Sequence, residues 1–413
     1  MSTLGLILLV WLLVTVALLA PHARVLRALW REPVLTHPVV IVESDDWGPG
    51  PESDGAMLQR IAKQLAAIRD QDGRAAVMTL GVVLGSPDGA AILASDCRTY
   101  RRTLLDEARC VPIVQAMRDG CAAGVFALQR HGLEHCWPDS LLARARQDAE
   151  LRAWLANPDA RSEALPSALQ SRWADTASLP SRPLPVADVE AAVKEEGDVF
   201  QRVFGQRPRV AVPNTFVWTD AVERAWANDG VRCVVTCGRQ FEGRSADGGL
   251  SSATRLILNG ECGQGGIQYV VRDVYFEPIR GHRAEQVWQG VAERTALGRP
   301  ALVETHRESF IASLELGTQA LSELVRALQG VVQRHPAVCF LTTAALADVL
   351  GASDSPLIAR DFATRLVFFL RRLLATPTLS RVLKLSGLRI ALPAVNRVLA
   401  AFIPAPCTRR RGC

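Results

Sequence analysis

Between residues 34 and 350, short apolar runs alternate with amphipathic stretches, and this alternation constrains the fold more than any other feature of the chain. The runs at 39–43, 75–83, 125–129, 209–213, 233–236, 268–271, 301–304 and 339–341 have the length and composition of buried strands. Helical spacing of apolar residues occupies 57–69, 186–204, 220–228, 285–297 and 314–333. Strand and helix in turn predict an α/β fold with a parallel sheet, and this many strands favours closure into a distorted (β/α) barrel. Residues 157–186 are proline-rich and lack periodicity, so they read as an insertion loop, placed over the active face. The Gly-rich stretch at 260–266 lacks the spacing and strand–helix context of a phosphate cradle.

The two ends differ from this middle. Residues 3–20 contain no charge, enough to span a bilayer as one helix. No basic residue precedes them, which favours an uncleaved anchor over a signal peptide. Arg24, Arg27 and Arg31 follow the apolar run, so the positive-inside rule places the body on the cytoplasmic face. Over 361–403, Phe362, Leu366, Phe369, Leu370 and Leu373 recur at helical spacing among arginines, and Pro377, Gly387 and Pro393 break the run. Short basic amphipathic helices lying in a membrane interface fit this pattern; a helical cap packed on the barrel is the alternative. The expected organisation is an anchor with a basic flank over 1–33, a barrel over 34–350, and membrane-associated helices and tail over 351–413.

The net charge of +5 hides an asymmetry. Segments 1–33 and 361–413 hold 13 basic and 2 acidic residues, leaving 34 basic against 40 acidic residues between them. An acidic body argues against nucleic acid as a partner, and basic ends beside apolar runs point to anionic lipid. The ten cysteines form no CxxC pair, and several sit in apolar runs, as reduced core thiols do.

Sites in parallel β/α folds form at the carboxyl ends of strands. There the chain places Asp45-Asp46 after the first run, His131 and His135 after the run at 125–129, Asn214 after that at 209–213, and Glu304-Thr305-His306-Arg307 at the end of that at 301–304. Two histidines and one carboxylate with positions left open make a catalytic metal set. A divalent cation would neutralise one of the adjacent aspartates and leave the other free as a base. A solvated turn and two exposed loop histidines are the alternatives.

These stretches resemble the polysaccharide deacetylase family (NodB homology, carbohydrate esterase family 4) over roughly 36–350. The strand followed by SDDWG resembles the family's Asp-Asp-Gly motif, with Trp47 inserted before Gly48, and His131 and His135 match its His-x-x-x-His motif. Gly132 stands where the family has Ser or Thr. Pro213 is kept from the third motif, but its Arg and Tyr are absent; Arg209 and the backbone at Asn214 are the available substitutes. His306 matches the last motif without its Leu-x-His neighbour.

The resemblance implies a distorted barrel of the polysaccharide deacetylase type. It also implies a divalent metal, Zn²⁺ above others, held by Asp46, His131 and His135, with Asp45 as general base and His306 as general acid. The implied activity is hydrolysis of an amide on an amino sugar; the membrane-seeking ends, apart from the resemblance, suggest that this sugar is held at the bilayer, in a polyprenyl-phosphate-linked sugar or a polysaccharide. Trp47 stacks on a sugar or fills the core; Asn214 binds substrate or forms a turn; Arg307 contacts substrate, orients His306 or pairs with Glu304. Two other readings remain: a non-catalytic glycan-binding or scaffold barrel, and an amidase for a small nitrogenous metabolite.

Overall fold

The structure is a computed structural model and describes residues 2–158, 160–352 and 354–401. Arg409, Arg410 and Arg411, counted above with the basic carboxyl end, lie outside the described residues.

Nine strands form the main sheet: β1 (Val39–Trp47), β2 (Met78–Val82), β3 (Phe126–Arg130), β4 (Val210–Ala211), β5 (Cys233–Thr236), β6 (Gln268–Val271), β7 (Val274–Tyr275), β8 (Ala301–His306) and β9 (Cys339–Phe340). Their spatial order is β6-β5-β4-β3-β2-β1-β8-β7, and β9 adds to the start of β1. Every pairing is parallel. Neighbours in sequence are neighbours in space from β1 to β6 and from β7 to β8; β9 pairs with β1 rather than β8, and β6 and β7 are not bonded to each other. The sheet is therefore a curled barrel left open at that step, in line with the expected fold. Each predicted strand is present within a few residues; β7 was not anticipated, because two residues give no periodicity.

The strands are wrapped by α3 (Glu52–Ala66), α4 (Val111–Ala122), α5 (Val186–Phe204), α6 (Asp220–Asn228), α7 (Ala284–Ala296) and α8 (Leu314–Arg334), with α1 (Thr3–Leu19) and α2 (Ala23–Arg31) before the barrel. Every residue of β1 is buried, as expected of a parallel strand covered on both faces. Its side chains divide by the two-residue period of a strand. Val40 and Val42 pack outward against Leu58, Ile61 and Leu324 of the helices. Val39 and Ile41 belong to a cluster with Leu302, Cys339 and Leu346 that fills the lower barrel. Glu43 and Asp45 continue this inward series, so the upper barrel becomes polar.

α9 (Phe362–Ala375), α10 (Pro377–Leu385) and α11 (Leu388–Ala401) follow. The first two turn Val367, Leu370, Leu373, Leu379 and Leu383 towards the protein, partly against Leu29 of α2. Buried Arg372 donates to the carbonyls of Glu32, Pro33, Leu297 and Gly298, just upstream of β1 and β8. The expected membrane-seeking segment is thus half a packed cap, because one arginine gathers four backbone oxygens at the strand entries, of which that of Gly298 also accepts from the Leu35 amide. α11 buries no residue. Thr3–Arg31, α1 and α2 joined by a 3-10 turn at Ala20–His22, contains an 18-residue window of mean hydropathy 2.7 and is long and apolar enough to cross a membrane.

Candidate active site and metal centre

In a regular strand Asp45 and Asp46 would point to opposite faces. The register between β1 and β2 slips after Ser44, where Ser44 pairs with Leu80 but Trp47 pairs with Val82. One extra residue is accommodated as a bulge. Asp46 takes the left-handed backbone conformation at φ 71°, a strained choice for a residue with a side chain. Both carboxylates then line one cavity of about 300 Å³, together with His131, His135, Arg272, Glu277, Glu304 and His306. Gly81 on β2 leaves the room, since a Cβ there would collide with the Asp45 carboxylate.

The histidine loop is pinned from several sides. The Gly132 amide donates to Glu196 (3.0 Å), the Gly132 and Leu133 carbonyls accept from Leu84 and Gly85, and Asn214 Nδ2 donates to the His131 carbonyl (2.8 Å). Glu134, between the two histidines, is buried in ion pairs with Arg102 and Arg172, both 2.6 Å. His131 Nδ1 lies 3.0 Å from the Val212 carbonyl, which leaves Nε2 as the lone-pair nitrogen.

Asp46 Oδ1 is 3.2 Å from His131 Nε2 and 3.1 Å from His135 Nε2, and the two Nε2 atoms are 3.2 Å apart. Asp46 Oδ1 and His135 Nδ1 are buried without a hydrogen-bond partner. Three lone-pair atoms converging in a buried spot repel one another unless a positive charge lies between them. Tetrahedral ligands about 2.0–2.1 Å from Zn²⁺ stand roughly 3.3 Å from each other. The observed spacing matches, so Asp46, His131 and His135 fit a divalent cation.

Asp45 is bound differently. Arg272, the residue after β6, donates Nη1 to Oδ2 (2.5 Å) and Nη2 to Oδ1 (3.2 Å), while its Nε donates to Glu43 (2.6 Å). Burial pushes the Asp45 carboxyl up, but the Arg272 guanidinium and then His131 outweigh it and hold it below its ordinary value. Across the cavity, His306 Nδ1 lies 2.5 Å from Glu277 Oε1, and Glu277 Oε2 accepts from Ser309 (2.5 Å). Burial pushes the imidazole down; the Glu277 hydrogen bond, with Asp46 and Asp45 beyond it, overrides this and lifts it to about 10. Asp45 is therefore set as a charged carboxylate and His306 as a charged imidazolium.

Three expected contacts need correction. Trp47 is fully buried, stacks on Phe310 and donates to Ser44, so its place is in the core. Asn214 is buried beneath the histidine loop and supports His131. Arg307 is held bidentate by Glu163 of the 157–186 segment, at 2.5 and 2.9 Å, and points away from the cavity. Arg209 pairs with Asp348 on the surface, so Arg272, not Arg209, braces Asp45. The 157–186 segment does reach the site, where Glu163, Ser167 and Gln170 form part of the wall. A larger cavity of about 570 Å³ adjoins Arg307; its lining includes Glu52 and Asp88 but no histidine.

No family model matches the chain, and no curated protein matches it. Solved structures similar in fold include a family 4 carbohydrate esterase from Streptomyces lividans, at 11% identity over 74% of this chain and 92% of that one, with a TM-score of 0.33. The peptidoglycan deacetylase PdaC from Bacillus subtilis aligns at 9% identity over 76% and 91%, with a TM-score of 0.35. A carbohydrate esterase family 4 pseudoenzyme from Bacillus anthracis aligns at 8% identity over 76% and 66%, with a TM-score of 0.34. Two of these neighbours carry the name of the family that the motifs resemble, and one of those two is a pseudoenzyme by name. At such scores they decide nothing about activity, which rests on the site itself.

Proposed function

We propose that the chain is a membrane-anchored, metal-dependent N-deacylase that hydrolyses an amide on an amino sugar, in a polysaccharide or a lipid-linked sugar. The observation that carries this is the arrangement around one cavity: a cation-ready Asp46–His131–His135 set, with a braced carboxylate at Asp45 and a protonated imidazole at His306. The bound cation would supply Lewis-acid polarisation of the carbonyl and acidify water at neutral pH. Asp45, kept ionised by Arg272, accepts the proton from the attacking water. His306, kept protonated by Glu277, donates to the amide nitrogen as the carbon–nitrogen bond breaks. An amine leaves poorly without that proton, which suits an amide more than an ester. Two groups with pKa values driven apart are what assigned acid and base roles require.

The third-motif Arg and Tyr, both absent, were the support for a non-catalytic scaffold. Arg272 fills the need of the Arg from another strand, which favours the enzyme reading. The apolar Thr3–Arg31 helix supports an anchor, with the body on the cytoplasmic face by the positive-inside rule. The deciding experiment is Zn²⁺ content together with amine release from a panel of N-acyl sugars. Wild type should bind one equivalent and release amine; Asp45→Asn should keep the metal and lose activity. Partner binding without metal or amine release would leave the scaffold reading in its place.

A further inference from the structure

Because every strand of the barrel is parallel, its two edges have different occupants. The carboxyl edge carries the cavity. The amino edge carries the exposed apolar residues of α1, α10 and α11, while those elsewhere, such as Val111, Val186 and Leu314, are scattered singly. α2 leads from the apolar helix into the entry of β1, and Arg372 ties α9 to the entries of β1 and β8. α10 then lies beside α1, where Trp11 Nε1 donates to the carbonyl of Ser386, the residue that caps the end of α10, at 2.8 Å, and α11 follows. Leu385 and Ile390 are 77% and 87% exposed there. Lys384, Arg389 and Arg397 accompany them. Apolar residues rimmed by basic ones, in contact with a helix able to cross a membrane, suit an anionic bilayer surface.

Height then separates lipid from chemistry. From Val39 to Asp46, β1 rises about 23 Å at 3.3 Å per residue. A barrel tilt of 35–45° shortens that to roughly 18 Å. A helix layer about 10 Å thick lies below. The metal ligands thus stand roughly 30 Å from the surface that α10 and α11 present.

We propose that the amino edge of the barrel lies on an anionic bilayer and the catalytic cavity opens away from it, so that the substrate sugar belongs to a glycan extending well clear of the membrane. A sugar joined directly to a lipid phosphate sits at the headgroups and does not reach the cavity. The orientation rests on the fold together with the reading of α1 as an anchor; the substrate class rests on the deacylase reading.

The full chain is reconstituted in phosphatidylcholine–phosphatidylglycerol vesicles with brominated acyl chains, carrying a fluorescent amino acid at Ile390 or at Glu52, the exposed first residue of α3 beyond the carboxyl end of β1. Quenching at position 390 and none at 52 is expected. Equal quenching at both, or at neither, overturns the orientation, and the second result would mean that protein rather than lipid covers this face. Amine release is then compared in the same vesicles between an N-acylated oligosaccharide of several units and a lipid-linked N-acylated monosaccharide. The oligosaccharide should react at least about tenfold faster, close to 1.4 kcal/mol in barrier. Equal or faster release from the lipid-linked monosaccharide overturns the substrate class. Release from neither defeats the deacylase reading and the substrate class built on it, while the quenching result still decides the orientation.

Discussion

Replacing Glu277 with Gln isolates what keeps His306 protonated. The two side chains have the same shape, and Gln can still accept from His306 Nδ1 while turning its amide towards Ser309. Only the charge is lost. In the wild type, burial lowers the imidazole and the Glu277 hydrogen bond is the strongest influence raising it, to about 10. An opposite charge at such range shifts a pKa by about 1–3 units, or about 1.4–4 kcal/mol. The His306 side chain is 29% exposed, so solvent screening favours the lower end of that range. The midpoint of His306 in the metal-free chain, followed by imidazole NMR, should fall from about 10 by about one unit or somewhat more in Glu277→Gln.

The sign for activity follows directly. An acid acts in its protonated form, present below its pKa, so rate is lost on the alkaline side as pH rises through the His306 midpoint. Glu277→Gln should therefore move the alkaline limb of kcat/KM to lower pH and leave the acid limb in place. Zn²⁺ should lower the midpoint in wild type too, because Asp46 is one of the charges that hold the proton. An unchanged midpoint in Glu277→Gln would refute the reasoning, since no other hydrogen bond to His306 Nδ1 is present among the described residues.

Removal of one metal ligand, by Asp46→Asn or His135→Ala, should abolish stoichiometric Zn²⁺ binding in a chelator-competition titration while the circular dichroism spectrum is retained. Arg272→Met should destabilise the fold by about 3–5 kcal/mol in denaturant titration, because Glu43 and Asp45 are left buried without a counter-charge. Gly132→Ala should cost about 1–3 kcal/mol and weaken Zn²⁺ binding: φ is 94° there, and a Cβ would sit 2.6 Å from the Glu134 carbonyl and 2.8 Å from Asn214 Oδ1. A Gly132→Ala protein with wild-type stability would show that the loop has another accessible conformation.

The barrel was legible because its strands are continuous apolar runs, and a parallel strand buried on both faces has no other way to read. The chemical residues nearest those runs were legible too, since Asp45, Asp46 and His306 end strands and His131 directly follows one. What stayed hidden depends on contacts that no local pattern records. The bulge in β1 shows only in its register with β2, yet it brings both aspartates to one side and turns Trp47 into the core. Glu277 lies in a loop without periodicity and meets His306 from 29 residues away in sequence. Arg272 is different, for it follows β6 directly and carried the same strand-end signal as the aspartates. The third motif's missing arginine drew attention to the strand where the family keeps it and to Arg209 nearby. Yet a guanidinium can be delivered to a buried carboxylate from any strand whose carboxyl end faces the same cavity. The open step between β6 and β7 lets a long side chain from Arg272 turn inward beneath Asp45 and reach Glu43 as well. The constraint is therefore on charge inside the barrel, one cation against two inward-facing acids of β1, and not on the strand that supplies it. That is why a motif can be lost while the electrostatics it served are kept.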